Sequence, residues 1–435
     1  MRHLFSKKNS STRSSESTRG GIAAVNAPLT GNQWRFLVLL ILSCHINFID
    51  RGNLSAAAPV LSSELFLSPT ALGFLFSAFG WTYAFSLPIA GWLVDRYDVK
   101  WVFAAGFFIW SVATLGTGWI HTFHELVLLR LLLGMGEAVA YPSYSKMIAI
   151  GFPEQRRGFV NSLLDTGGKM GPGLGILIGG LMVARFGWRA MFWTLGAASL
   201  VWLIPWVLWA PEQKTTRSAG DRGPGVMQII TRRNAWGTFL GHFCANYAIY
   251  FLLNWLPTYL VKERHYSMKV MAFWGSVPFL ASGATTLLAG WLSDRWITQG
   301  ASPTVVRKGF VIASLLLYNL TLPIPFVSHE GVAMGLLTLA LLGLGFFGAN
   351  MWAITQTLAG PQAAGRWTGI QNCISNLSAI IAPLVTGIIV SKTDSFLLAF
   401  VAASIMALCG AGCYLFLVGR VEPVSWTPRA AILAK

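Results

Sequence analysis

Charged residues are scarce in this chain of 435 residues: only 11% are Asp, Glu, Lys or Arg, and the acidic ones number 16. A soluble domain carries roughly 25% charged residues, so the composition argues against an ordinary soluble fold. Hydrophobic residues make up 54% of the chain. They gather in nearly uncharged stretches of about 20 residues, which is the length that a helix needs to cross a bilayer. We therefore expect an integral membrane protein.

Cysteine patterns that bind metals or form disulfides are also absent. No two cysteines have C-x-x-C spacing, and all five lie inside apolar runs, which favours small buried hydrophobic residues over disulfides or ligands. They are Cys44, Cys244, Cys373, Cys409 and Cys413. His45 and His242 are isolated from acidic residues, which argues against a membrane enzyme or a receptor with a metal centre. We expect no catalytic residue, no cofactor and no metal site.

The basic residues are distributed as in a membrane protein of fixed orientation. The net charge of +16 is a signal shared with nucleic-acid-binding proteins, but here the basic residues lie between apolar runs and form no phosphate-binding patch. With the N-terminus inside, about 22 of the 32 basic residues fall on the cytoplasmic side and about six outside. We expect a multi-pass protein of the cell inner membrane with both termini cytoplasmic, surrounded by lipid and binding no nucleic acid.

Twelve apolar segments predict twelve transmembrane helices in two bundles of six. The segments are 33–60, 70–94, 101–120, 125–150, 158–184, 189–210, 235–261, 270–293, 308–327, 332–359, 367–391 and 395–419. The longest polar loop follows the sixth segment, so we predict an all-α membrane protein with bundles 33–210 and 235–420 and a cytoplasmic linker, 211–234. Residues 1–32 are Ser-rich and basic, which predicts a disordered cytoplasmic tail, with an organelle transit peptide as the alternative. Residues 421–435 form a second cytoplasmic tail.

A repeated loop relates the two halves. Gly91-Trp-Leu-Val-Asp-Arg96 closes the second segment, and Gly290-Trp-Leu-Ser-Asp-Arg295 closes the eighth. A second pair of loops follows in register, with Arg156 and Arg157 before the fifth segment and Gly365-Arg366 before the eleventh. Parallel six-helix repeats are a transporter plan with the site between the halves. We predict that the acidic and basic residues of these loops form a cytoplasmic latch, and a topology anchor is the simpler alternative. The predicted latch residues are Asp95, Arg96, Arg156, Arg157, Asp294 and Arg295.

These motifs resemble those of a known family. The G-x-L-x-D-R loop looks like the signature of the major facilitator superfamily. Asn47-Phe-Ile-Asp-Arg-Gly-Asn-Leu-Ser55, Arg130-Leu-Leu-Leu-Gly-Met-Gly-Glu137 and Phe186-Gly-Trp-Arg189 resemble its anion:cation symporter branch. That branch includes carriers of galactonate, glucarate, hexuronate and phthalate, and sialin. The resemblance implies that an acid in the first helix and another in the fourth serve proton coupling.

Charged residues within the segments mark the candidate site, because a charge in a membrane is costly and is retained for function. Asp50 and Arg51 are neighbours whose side chains diverge by roughly 100°. Arg130 and Glu137 are seven residues apart and lie on one face, so the crossed pairs Asp50–Arg130 and Arg51–Glu137 would neutralise all four. We predict that Asp50 and Glu137 carry protons and that the forked guanidinium of Arg51, and secondarily of Arg130, holds a substrate carboxylate. Purely structural ion pairs are the alternative.

Further polar residues complete the predicted lining. Asp165 and Lys169 are spaced i, i+4, so they either pair with each other or offer Lys169 as a second carboxylate contact. Tyr83, Tyr250, Asn372 and Asn376 are predicted to contact the substrate, with interhelical hydrogen bonding as the alternative.

The predicted function is import of a small organic anion, a sugar acid or an aromatic or dicarboxylic acid, by proton symport through alternating access. We expect a monomer whose partners are the anion, protons and the bilayer. Gly167-x-x-x-Gly171-Pro172 resembles the motif of antiporters of the same superfamily, so an exchanger or efflux carrier is the alternative. An efflux cavity should be more apolar than one holding four or more charges.

Overall fold

A computed structural model describes residues 29–152, 154–212 and 224–426, without the side chains of residues 154–156, 158, 159 and 361. Over these residues the structure is helical. The first half contains α1 (Gly31–Glu64), α2 (Pro69–Arg96), α3 (Val99–Thr117), α4 (Phe123–Glu137), α5 (Ala140–Gly151) and α6 (Glu154–Trp209). The second half contains α7 (Val226–Ile230), α8 (Arg233–Lys262), α9 (Met268–Thr298), α10 (Pro303–Tyr318), α11 (Glu330–Gly345), α12 (Phe347–Asn376), α13 (Ser378–Thr393) and α14 (Leu397–Gly412). The predicted tails before residue 29 and after residue 426, and positions 213–223 of the linker, lie outside the described residues.

The described helices make twelve crossings, as predicted. Ten stretches are long and apolar enough to span a membrane, and one of them, Val160–Trp209, contains two crossings. The chain reverses inside α6 at Gly187, where φ is 84°, a left-handed conformation that favours glycine. The same device occurs in α12 at Gly360, where φ is 64°, and it separates the tenth crossing from the eleventh.

The remaining crossing is α8, the seventh along the chain, which is not among the ten apolar stretches. It is less apolar because it lies against α1, α12, α13 and α14 and buries polar side chains such as His242, Asn254 and Thr258. A helix enclosed by other helices does not need a lipid-compatible surface all round. Its polar residues are therefore available to line the interior.

The two halves meet closely at small residues. A methyl group on Gly73 of α2 would lie 2.6 Å from the carbonyl oxygen of Pro383 in α13, and one on Gly180 of α6 would lie 2.6 Å from Cβ of Ala272 in α9. Glycine lets helix backbones approach in this way. These contacts lie in the halves of the helices that adjoin the loops after α1, after α8 and after α13. They close one face of the bundle, which we call the opposite face.

Both described ends of the chain lie on the other face, called the terminal face here. Nε2 of Gln33 donates to the Gly151 carbonyl at 3.1 Å, and Nε1 of Trp426 donates to the Ala359 carbonyl at 3.0 Å. Near this face, no described atom lies within 4 Å of a methyl group placed on Gly91 of α2 or Gly365 of α12. The close glycine contacts between the halves described above therefore lie toward the opposite face.

Two cysteines differ from the prediction that all five are buried. Cys44 and Cys244 are buried, Cys413 is partly buried, and Cys373 and Cys409 are exposed. A membrane-spanning helix has an apolar outer surface facing lipid, so an apolar run does not by itself imply burial in the protein.

Candidate functional site

A buried ion pair joins α1 to α4. Nε of Arg51 lies 2.9 Å from Oε2 of Glu137, and the side chains are 8% and 0% exposed. The structure thus forms one of the two predicted crossed pairs. Glu137 is the last residue of α4, and the helix is interrupted at Ala138–Val139 before α5 begins. The acid therefore lies at a break in the fourth crossing.

The Arg51 guanidinium is enclosed by aromatic rings and points toward the second half. Its Cζ lies 4.8 Å from the ring centre of Phe48 and 4.9 Å from those of Phe79 and Tyr83. It lines a cavity together with Tyr250 and Asn254 of α8. Nε of Arg51 therefore binds Glu137, while buried Nη2 is left without a hydrogen-bond partner among the described atoms. We call the region where Arg51 faces Tyr250 and Asn254 of the second half the seam.

Asp50 faces away from the seam, as expected for the neighbour of Arg51 on a helix. Its Oδ1 accepts from Nδ2 of Asn53 at 3.1 Å, and it lines a small cavity inside the first half with Thr114 and Thr117 of α3. Oδ2 is buried without a partner among the described atoms. The carboxylate is therefore separate from the seam and reaches it only through its neighbours.

Arg130 lines both cavities, the one at the seam and the one around Asp50. The predicted ion pair between Asp50 and Arg130 is wrong for this conformation: no nitrogen–oxygen contact within 4.0 Å joins them among the described ion pairs. The physical reason is that Asp50 is engaged by Asn53 on its own helix, while the Arg130 guanidinium lies over Phe79, 5.5 Å from its ring centre. Arg130 links the two cavities electrostatically.

Phe79 is a site residue that the sequence analysis missed. The guanidinium groups of Arg51 and Arg130 both lie over its ring, 4.9 and 5.5 Å from the ring centre, and the ring stacks on Tyr83 at 5.2 Å. Its position four residues before Tyr83 places it on the same face of α2, and that spacing was the available signal. Cation–π contact with a desolvated ring stabilises each arginine by about 2 kcal/mol.

Several buried polar atoms of this cluster lack hydrogen-bond partners among the described atoms. They are Oδ2 of Asp50, Nη2 of Arg51, Nε of Arg130, Oε1 of Glu137 and both amide atoms of Asn47. Such atoms are rare in native proteins, and clusters of them are typical of functional sites. The free space at the seam is about the size of one water molecule, so a larger molecule enters only after the halves move apart.

The second half contributes amide and hydroxyl groups to the seam. The Tyr250 hydroxyl donates to Oδ1 of Asn376 at 3.1 Å, and Nδ2 of Asn376 donates to the Asn372 carbonyl at 2.9 Å. Asn372 and Asn376 are partly buried on α12. The structure therefore brings Tyr250 and Asn376 together opposite Arg51, and Asn372 follows one turn away.

Lys169 of α6 is partly buried and does not pair with Asp165. The described ion pairs contain no contact within 4.0 Å between them, and Asp165 is exposed. The ammonium lies instead beside Gly348 of α12, where a methyl group would be 3.0 Å from Nζ. Of the two alternatives for these residues, the structure does not form the self-contained pair.

The predicted latch residues lie at the terminal face. Asp95 and Asp294 are exposed, and no basic nitrogen lies within 4.0 Å of either among the described side chains. Arg96 and Arg295 lie over Trp92 and Trp291, and Arg157 donates to the carbonyls of Ala149 and Phe152. The side chain of Arg156 lies outside the described part. The latch stays a prediction, for a conformation in which this face is closed.

The glycines of the antiporter-like segment have a packing role. A methyl group on Gly167 would lie 2.9 Å from Sγ of Cys44, and one on Gly52 of α1 would lie 2.9 Å from the Pro172 carbonyl. Close approach of α1 and α6 therefore accounts for the small residues in Gly167-x-x-x-Gly171-Pro172. The segment does not by itself indicate exchange.

The sequence of this chain is similar to those of known membrane transporters. The profile of the Major Facilitator Superfamily matches residues 40–383 and 275–434. GudP of Bacillus subtilis strain 168, a probable galactarate/D-glucarate transporter, is 29% identical over 427 residues, covering 91% of this chain and 94% of that protein. A probable L-galactonate transporter of Escherichia coli K12 is 30% identical over 400 residues, covering 88% of each chain. A D-galactonate transporter of Escherichia coli O6:H1 is 28% identical, covering 92% of this chain and 99% of that protein.

A solved structure has the same fold. A bacterial homologue of the human lysosomal transporter Spinster, in an inward-facing and occupied conformation, superposes with a TM-score of 0.73 at 19% identity. The match covers 90% of this chain and 97% of that structure. At this identity the likeness concerns the fold.

Proposed function

Because the chain belongs to the Major Facilitator Superfamily of membrane transporters, we propose that it imports a sugar acid by proton symport through alternating access. The family and the relatives named above are transporters, and those relatives carry galactarate, D-glucarate or galactonate by name. The expectation of a transporter and not an enzyme is thereby confirmed. The substrate, the coupling ion and the direction are the proposal.

The Arg51–Glu137 ion pair at the seam is the main support for this proposal. A substrate carboxylate and the Glu137 carboxylate compete for one guanidinium. When Glu137 takes up a proton, its negative charge disappears and Arg51 becomes available to the anion. When the proton leaves, Glu137 regains Arg51 and displaces the substrate. Anion and proton therefore bind together, which is the condition for symport.

Asp50 is the second proposed proton carrier. It shares a cavity with Arg130, and Arg130 also lines the seam. A substrate anion at the seam draws on the positive charge of Arg130, which leaves Asp50 less compensated and favours its protonation. Arg51 and Arg130 are the proposed anion anchors, and Tyr83, Tyr250, Asn372 and Asn376 are the proposed partners of substrate hydroxyls.

The proposed setting is the cell inner membrane, with the terminal face in the cytoplasm and a single chain as the working unit. This orientation follows the distribution of basic residues. In this orientation, the close contacts of Gly73 with Pro383 and of Gly180 with Ala272 lie toward the outside. We propose that the latch residues Asp95 and Asp294 form their ion pairs when the protein is open to the outside and closed to the cytoplasm.

Uptake into proteoliposomes tests the function. With purified protein, galactarate or galactonate should accumulate above its external concentration when the outside is acidic, and a protonophore should abolish accumulation. Protein-free liposomes are the control. Uptake that requires a counter-substrate inside the liposomes and does not depend on the pH gradient would show that the protein is an exchanger. Export of the acid driven by protons moving inward would show that it is an efflux carrier.

A further inference from the structure

Lys169 reaches from one half of the protein to the other. It belongs to α6 in the first half, and its Cβ would lie 3.6 Å from a methyl group on Gly283 of α9. Its Nζ and Cε would lie 3.0 and 3.4 Å from a methyl group on Gly348 of α12. At Gly348 the lysine ammonium occupies space that any larger residue would fill, whereas the atom nearest to a methyl group on Gly283 is Cγ of Met170, at 2.6 Å.

Among the described side chains, the ammonium has no ion-pair partner. The described ion pairs and hydrogen bonds include none made by Lys169, and the nearest acid along the helix, Asp165, does not reach it. His242 of α8 is within electrostatic range of the ammonium, and its Nδ1 lies 3.4 Å from Nε2 of Gln371. A lysine side chain can offer three donors, and an ionisable residue within a membrane-spanning bundle is a candidate functional residue.

Lys169 and Arg51 are separated along the direction of transport. Helices α1 and α6 lie side by side, with Gly167 beside Cys44 and Pro172 beside Gly52. This register places Lys169 about four residues, or roughly 6 Å, nearer the terminal face than Arg51. The ring of Phe48 contacts Arg51 and would contact a methyl group on Gly168, the residue before Lys169. Oδ1 of Asp165 would lie 3.6 Å from the same methyl group.

That offset is between the helix positions of the two residues, and two cations held apart in this way can bind the two ends of one extended substrate. The two carboxyl carbons of an extended six-carbon diacid are roughly 6 Å apart, from the length of the C–C bond. We propose that the site binds a dianion, with one carboxylate on Arg51 and the other on Lys169 beside Gly348. This proposal rests on the proposed function and narrows its substrate to sugar diacids. Because Lys169 meets the second half, the second carboxylate would also hold the two halves together.

A matched pair of ligands tests the second carboxylate. Galactarate and galactonate have the same hydroxyl stereochemistry, but galactonate has an alcohol where galactarate has its second carboxylate. The wild type should bind galactarate more tightly. Lys169→Gln should lower galactarate affinity about tenfold or more, the worth of one charge-assisted hydrogen bond, and should change galactonate affinity little. Isothermal titration of purified protein measures both.

A second variant tests the same contact by displacing the Lys169 ammonium without removing its charge. Gly348→Ala places a methyl group where only the flexible end of Lys169 lies within 4 Å, so the protein should fold while the ammonium is displaced. It should also selectively weaken galactarate. Lys392→Gln, which removes an exposed lysine at the end of α13, is the control and should behave as wild type.

The outcomes separate this proposal from the proposed function. If Lys169→Gln weakens both acids equally, or neither, the dianion site is wrong while sugar acid transport stands. If the wild type transports neither acid in the pH-gradient assay, the function itself fails, and the dianion site fails with it.

Discussion

Glu137→Gln is expected to abolish accumulation of the sugar acid against its gradient, while exchange of labelled for unlabelled substrate continues. Glutamine cannot release a proton and cannot regain Arg51 as an anion, so the guanidinium stays available to substrate. Net proton-coupled uptake then stops, but exchange of substrate across the membrane needs no proton movement. Proteoliposome uptake under an inward pH gradient, together with counterflow at equal pH, measures the two activities.

Asp50→Asn should likewise abolish uphill uptake, because the second proposed proton carrier can no longer titrate. The control is Asp394→Asn, at an exposed residue in the left-handed conformation with φ of 49°, which asparagine also adopts. It should accumulate substrate as the wild type does. Accumulation against the gradient by both Glu137→Gln and Asp50→Asn would disprove the assignment of proton carriers.

Arg51→Lys is the second change with a large expected effect. Lysine keeps the charge but loses the planar fork that contacts Glu137 and the substrate together. Losing one charge-assisted hydrogen bond costs about 1.5–3 kcal/mol, roughly tenfold or more in affinity. Binding titrations should show this loss for both galactarate and galactonate, since the proposed contact is to a carboxylate that they share. Arg185→Lys, at an exposed position at the end of the fifth crossing, is the control.

Arg51→Ala should also destabilise the fold, because it leaves the fully buried Glu137 carboxylate without its partner, at a cost of about 3–5 kcal/mol. The double variant Arg51→Ala/Glu137→Gln should recover much of the thermal stability but not substrate binding. If Arg51 is only a structural partner of Glu137, Arg51→Lys will bind normally. The anion anchor would then be Arg130.

Part of this site was predictable from spacing along single helices. The divergence of Asp50 from Arg51 and the placement of Arg130 and Glu137 on one face follow from helix geometry, and the Arg51–Glu137 pair agrees with them. The two six-helix halves follow from the apolar segments and the repeated loops, and the family and fold are confirmed by the comparisons.

The rest depended on contacts between distant helices. The position of Lys169 beside Gly348, and of Tyr250 opposite Arg51, joins residues from different halves, and no periodicity within one helix specifies them. The prediction of an Asp50–Arg130 pair was wrong for a related reason. The local partner Asn53 and the ring of Phe79 compete for the two groups, and sequence spacing does not rank such contacts.

The pH dependence of galactonate affinity, measured in the wild type and in Glu137→Gln, tests whether Glu137 and the substrate compete for Arg51. If a proton on Glu137 frees Arg51 for the substrate, wild-type affinity should rise as pH falls from 8 to about 5.5, with the direction set by linkage between proton and anion binding. In Glu137→Gln the affinity should stay high and lose most of this dependence. An equal pH dependence in the two proteins would contradict competition of Glu137 and substrate for Arg51.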